Sequence, residues 1–126
     1  MNSSRRANQA RLFAKLLLPA VAQCGGRYGR AQATLDEARV ACALERYHLA
    51  HGNYPEQLDA LAPKFLTEVP TDVITRRPLV YRRTSDGRFL LYSVGWNQRD
   101  DGGVPGMTTA KRPRFNSSAG DWVWKY

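Results

Sequence analysis

Apolar and polar positions along the chain divide it into a helical first half and a strand-bearing second half. The segment "AQATLDEARVACALERYHLAHG" is rich in helix formers from Ala31 to His51, with Asp36 and Glu37 near its start and Gly52 where a C-terminal cap belongs. Leu35, Ala38, Cys42 and Leu49 follow helical spacing, and Val40, Ala43, Leu44 and Tyr47 widen the apolar face. Because "VACAL" is apolar almost all round, this helix is expected to pack on more than one neighbour. A second, short helix is predicted over "NYPEQLDALAP", with Pro55 at its first position, Leu58 and Leu61 facing the core, and Pro63 closing it. Pro70-Thr71-Asp72 reads as a turn.

A hairpin follows. "LVYRRT" and "RFLLYSVG" flank Ser85-Asp86-Gly87, and Asp-Gly between two β-prone runs is a strong turn signal. Leu79 and Tyr81 are expected on one face of the first strand, and Leu90, Tyr92 and Val94 on one face of the second. Residues 97–120 read as a long loop. "DWVWKY" reads as a last strand with Trp122 and Trp124 on one face and Val123 on the other. The order predicts an α+β domain, a long N-terminal helix packed on a small antiparallel β-sheet, with a long C-terminal loop before the last strand.

Ahead of the long helix the pattern is less regular. "LFAKLLLPAVA" is preceded by Arg5, Arg6 and Arg11 and is too short, with Lys15 inside it, for a membrane span of about 20 residues. It reads as a short amphipathic helix with Leu12, Phe13, Leu16 and Leu17 on one side. A signal-like segment with Ala20-Val21-Ala22 as cleavage site, or a disordered lead-in, are the alternatives. "CGGRYGR", Cys24 to Arg30, has three glycines and predicts a flexible joint. The expected organisation is a basic N-terminal segment, 1–30, and an α+β domain, 31–126.

At 126 residues and 43% hydrophobic content the chain supports one compact domain. Its formal charge of +8 is uneven: residues 1–39 hold seven Lys/Arg against two Asp/Glu, and the rest twelve against nine. That favours an anionic contact without identifying one. Two cysteines, Cys24 and Cys42, do not make a disulfide scaffold, and Cys42 reads as a small buried helix residue. The compartment therefore stays open on redox grounds.

Candidate chemistry is concentrated after Trp96. In "NQRDDGG", Asn97, Asp100 and Asp101 offer an amide and two carboxylates at one bend, and Gly102 and Gly103 let the backbone turn sharply. Asp121 can return from the chain's end. Calcium takes six to eight such oxygens, and an ion would help order a loop this long. The other reading is a solvated Asp-Gly turn, and the EF-hand spacing is absent. His48 and His51, at i, i+3, have no acidic or Cys partner nearby and read as a polar helix end. No nucleophile elbow, Cys–His pair, phosphate loop or zinc signature is present, so no enzyme activity is expected. Arg76, Arg77, Arg82, Arg83 and Arg88, interleaved with Tyr81 and Phe89, suggest either a solvated hairpin edge or, as the alternative function, a nucleic-acid- or anionic-partner-binding face.

"ALERYHLAHGNYPEQLDAL", "VPTDV", "PLVYRRTSDGRFLLYSVGWNQRDDGG" and "GDWVW", in that order over residues 41–124, resemble the soluble domain of type II secretion pseudopilins, most nearly the major pseudopilin, the G subunit. The resemblance implies a structural, non-enzymatic role in protein transport and a long helix on a small sheet. It also implies a periplasmic, inner-membrane-associated location and partners among other pseudopilin-like or secretion-system subunits. It further implies calcium in the C-terminal loop, carried onto Asn97, Asp100, Asp101 and Asp121. Nucleic acid is not an expected partner on this reading. This sequence departs from the family in three respects. Asp72-Val73 replaces Asp-Pro, and the loop is longer and more basic, with Lys111, Arg112 and Arg114. The opening Met1-Asn2-Ser3-Ser4-Arg5-Arg6 carries neither a Gly-Phe-x-x-x-Glu processing motif nor a run of about twenty apolar residues. The expectation is that the chain does not polymerise by the family route. It would then be a truncated reading frame, a fragment of a longer membrane protein or a domain reused elsewhere, with any membrane contact through a segment outside it.

Overall fold

The computed structural model describes residues 2–125, with side chains from residue 24 onward and at 15 and 17–19. The chain is α+β. One helix, α1 (Asn2–His51), is followed by a short 3₁₀ turn, Leu58–Leu61. Five strands follow: β1 (Val80–Arg83), β2 (Phe89–Ser93), β3 (Pro105–Met107), β4 (Phe115–Gly120) and β5 (Trp122–Val123).

The joint expected at Cys24–Arg30 is not a break, because α1 runs through all three glycines. Glycine costs a helix about 1 kcal/mol relative to Ala, and the packing here explains why two of the three are tolerated. A methyl on Gly29 would lie 3.3 Å from Ile74 Cδ1 and 3.4 Å from the Trp96 ring, and one on Gly26 would lie 3.5 Å from Trp96 Nε1. The bare helix surface is a notch for the indole. The amphipathic face expected at Leu12, Phe13 and Leu16 and the signal-like Ala20-Val21-Ala22 lie outside the described side chains; Leu17 is exposed. Among the described residues no helix is long and apolar enough to cross a membrane.

The helix buries part of the apolar face that its sequence suggests: Val40, Ala43 and Leu44 are in the core and Tyr47 packs against it. Ala33, Glu37 and Ala41 are also covered, whereas Leu35 is 59% exposed, Leu49 84% exposed, and Cys42 exposed rather than buried. Both cysteines are free. At its C-terminus α1 ends as expected: Gly52 N–H donates to His48 O at 2.7 Å. Leu58 and Leu61 are buried as expected, but by a single 3₁₀ turn rather than a helix starting at Pro55. Four residues cannot bear the nucleation cost of an α-helix unless packing supports it.

The main sheet has order β1-β2-β5, all antiparallel, with Val80 opposite Tyr92, Arg83 opposite Phe89, and Ser93 opposite Trp122. Phe89 and Leu91 on β2 join Val40, Leu44, Leu61 and Leu79 in the core, and Tyr54, Phe65, Tyr81 and Trp124 pack at its edge. The region expected to be loop, 97–120, contains a second sheet, β3 against β4. Its alternation is hidden by Gly and Ser. A Cβ on Gly106 would overlap Ala119 O, so the two chains approach closer than side chains allow.

Candidate functional site

The four residues expected around the C-terminal loop do lie together, and Asp121 is the hub. It is fully buried at the start of β5, and its carboxylate accepts N–H groups from Asp101 (3.1 Å) and Gly103 (2.7 Å). The loop is tied at two further points. Asn97 Nδ2 donates to Asp101 Oδ2 at 2.9 Å, and Tyr92 O–H donates to Asp100 Oδ1 at 2.7 Å, where Gly102 N–H also donates at 2.9 Å. Gly103 has φ +82°, and a Cβ there would lie 2.7 Å from Leu90. Only glycine lets the loop turn in this way while pressed on the outer face of β2. The loop therefore covers the face of β2 that α1 does not.

Electrostatics follow from these contacts. Burial raises the Asp121 carboxyl, the charges of Asp101 and Asp100 add to that, and the Gly103 and Asp101 N–H groups oppose it. The hydrogen bond from Tyr92 holds Asp100 below the usual carboxylate range. Burial, and then its donation to Asp100, push Tyr92 up to about 12, so the phenol keeps its proton. Three carboxylates and an amide oxygen are the donor types calcium takes. In the observed conformation these oxygens accept loop hydrogen bonds, and among the described residues no group of three or more His, Cys, Asp or Glu is arranged as a metal cage. The donor chemistry fits calcium; a cage is not preformed.

Behind the loop lies an acidic junction that sequence reasoning missed. Ser93, at the end of β2, is fully buried. Its N–H donates to Glu37 Oε1 of α1 at 3.2 Å, its O–H donates to Asp72 Oδ2 at 2.8 Å, and its Oγ accepts Gly95 N–H at 3.2 Å. Asp72, also buried, takes Ile74 N–H at 2.8 Å and Val94 N–H at 3.3 Å. Helix, turn and central strand are thereby joined through two carboxyl groups. Burial pushes Glu37 up to about 8; Ser93 N–H and Arg30 oppose this, and Asp72 and Asp36 reinforce it. The available signal was position: Glu37 shares a helical stripe with Ala33, Val40 and Leu44, so placing that stripe correctly would have buried it.

The other candidates are occupied by packing. His48 stacks on Tyr54 and His51 on Tyr47, with ring centroids 4.5 and 4.1 Å apart. Tyr81 O–H donates to Pro55 O at 2.6 Å and Phe89 is buried, so the aromatics interleaved with the hairpin arginines turn into the core. Arg82 donates to Gly102 O and Arg83 to Tyr54 O. Comparison of the chain with protein-family models, with curated proteins and with solved structures returns no match.

Proposed function

We propose that this chain is a non-enzymatic structural and assembly domain of the type II secretion pseudopilin kind, working at the periplasmic side of the inner membrane with other pseudopilin-like or secretion-system subunits. The observation that carries this reading is how α1 relates to the body. Gly26 and Gly29 of α1 pack against Trp96 and Ile74, whereas the described side chains of Lys15, Leu17, Leu18 and Cys24 are exposed. Some 24 helical residues precede Gly26, about 36 Å at 1.5 Å per residue. We read the first half of α1 as the docking element, with the sheet and clipped loop holding its second half.

Calcium belongs to the proposal as a ligand of the C-terminal loop, held by Asn97, Asp100, Asp101 and Asp121. Bound there, it would supply positive charge between carboxylates that otherwise repel one another. Nucleic acid is not the proposed partner, because the hairpin offers arginines without stacking aromatics.

A chimaera tests the assembly reading. The leader and apolar helix of a major pseudopilin are joined to this chain within α1, and sheared surface filaments are probed for it. Incorporation is expected. A folded, membrane-inserted chimaera that never enters filaments would overturn the proposal.

A further inference from the structure

The face of α1 turned away from the sheet carries its own pattern. Tyr28, Leu35, Cys42 and Leu49 recur every seven residues, and all four are exposed. Ala31 and Ala38 fall three residues after the first two, as in a seam for a second helix. The residues buried against the sheet, Ala33, Val40 and Leu44, lie on the opposite side, so one helix carries two apolar faces and the body covers only one.

The seam borders a groove whose far wall is Trp124. Its N-terminal part is a hollow of about 650 Å³ between Ala31, Leu35, Ala38 and Trp124. Its C-terminal part is a hollow of about 710 Å³ between Ala41, Cys42, Tyr54 and Trp124. From Arg27 to Arg46 the groove runs about 28 Å along α1, enough for five turns of a partner helix.

The rim decides the partner's charge. Arg27 and Arg30 border one hollow, and Arg46 and Arg88 the other, against a single acid, Glu45. Glu45 already accepts the Tyr54 hydroxyl at 2.7 Å. The Arg30 guanidinium lies 3.7 Å over the Phe115 ring, and its Nη1 is buried without a hydrogen-bond partner. A second copy of this chain would bring the same cationic rim and a formal charge of +8.

We infer that the groove between the outer face of α1 and Trp124 docks an amphipathic helix of another protein, with apolar residues at heptad spacing and acidic residues on its flanks. The inference rests on the assembly reading only in taking the partner to be another subunit. The binding itself needs neither a membrane nor a filament.

The test is fluorescence anisotropy of the full chain with a labelled three-heptad peptide, Leu at its two core positions and Glu at the flanking ones, against a twin with Lys at the flanks. The Glu peptide is expected to bind at least about tenfold tighter than the Lys twin, and to weaken as salt rises. Leu35→Asp, at an exposed position and with an unchanged melt, is expected to abolish binding. Arg27→Glu/Arg88→Glu is expected to reverse the preference between peptides. Equal binding of both peptides, or no binding by the folded chain, would overturn the inference. So would sedimentation showing a dimer that Leu35→Asp dissolves, since a second copy would then be the occupant. Failure here with the chimaera still entering filaments would remove the groove and leave the assembly reading standing.

Discussion

Two buried acids do different work at the level of single residues. Glu37 has a folded value of about 8 against an ordinary 4.5, so the folded state holds its proton more tightly than the unfolded chain does. Its contribution to stability is fully present below pH 4.5 and is lost as pH rises through about 8, at up to about 1.4 kcal/mol per pH unit. Arg30, Asp36 and Asp72 are the charged groups that act on it. Glu37→Gln keeps an acceptor for Ser93 N–H and removes the titration, so urea unfolding across this range is expected to show a flatter pH dependence. An unchanged slope would mean that Glu37 is ionised in the fold. Asp121 instead accepts two loop N–H groups on Oδ2, and Asp121→Ala removes that acceptor. A loss of about 1–3 kcal/mol is expected, with faster hydrogen exchange at the Asp101 and Gly103 amides. Unchanged exchange there would contradict the hub assignment.

At the scale of elements, the glycines of α1 sort by what stands over them. Nothing lies within 4 Å of a Cβ at Gly25, whereas Ile74 and Trp96 crowd Gly29. Gly25→Ala is therefore expected to raise stability by about 0.5–1 kcal/mol through helix propensity. Gly29→Leu is expected to lower it by about 1–3 kcal/mol through overpacking and to shift the Trp96 indole resonance. If both substitutions stabilise alike, Trp96 is not docked in the notch. These glycines also show what could be read from the sequence and what could not. The β1–β2 hairpin was legible because Asp86-Gly87 and its flanking strands are local signals, and so was the Gly52 cap. Continuity of α1 was not, since the contact that offsets Gly26 and Gly29 comes from Trp96, some seventy residues away. The β3–β4 pairing was hidden because glycine and serine carry no alternation.

In the whole molecule, the sheet is covered on both sides: α1 packs on Phe89 and Leu91, and the loop 100–103 lies against Leu90 and Tyr92. The four candidate residues of that loop were legible as a cluster of oxygens. Their arrangement was not, because a carboxylate that ties down backbone N–H groups and one that faces an ion look the same in sequence. The acidic junction of Glu37, Asp72 and Ser93 was invisible for a related reason: its members are 56 and 21 residues apart along the chain. On the proposed function, these contacts make a body that presents a helix and is closed by a clip. Thermal unfolding in excess calcium and then in chelator, repeated with Asp100→Ala/Asp101→Ala, tests that clip most directly. At a hundredfold excess over the dissociation constant the proposal predicts about 2.7 kcal/mol of added stability, absent in the double variant. Identical melts with and without calcium would contradict it.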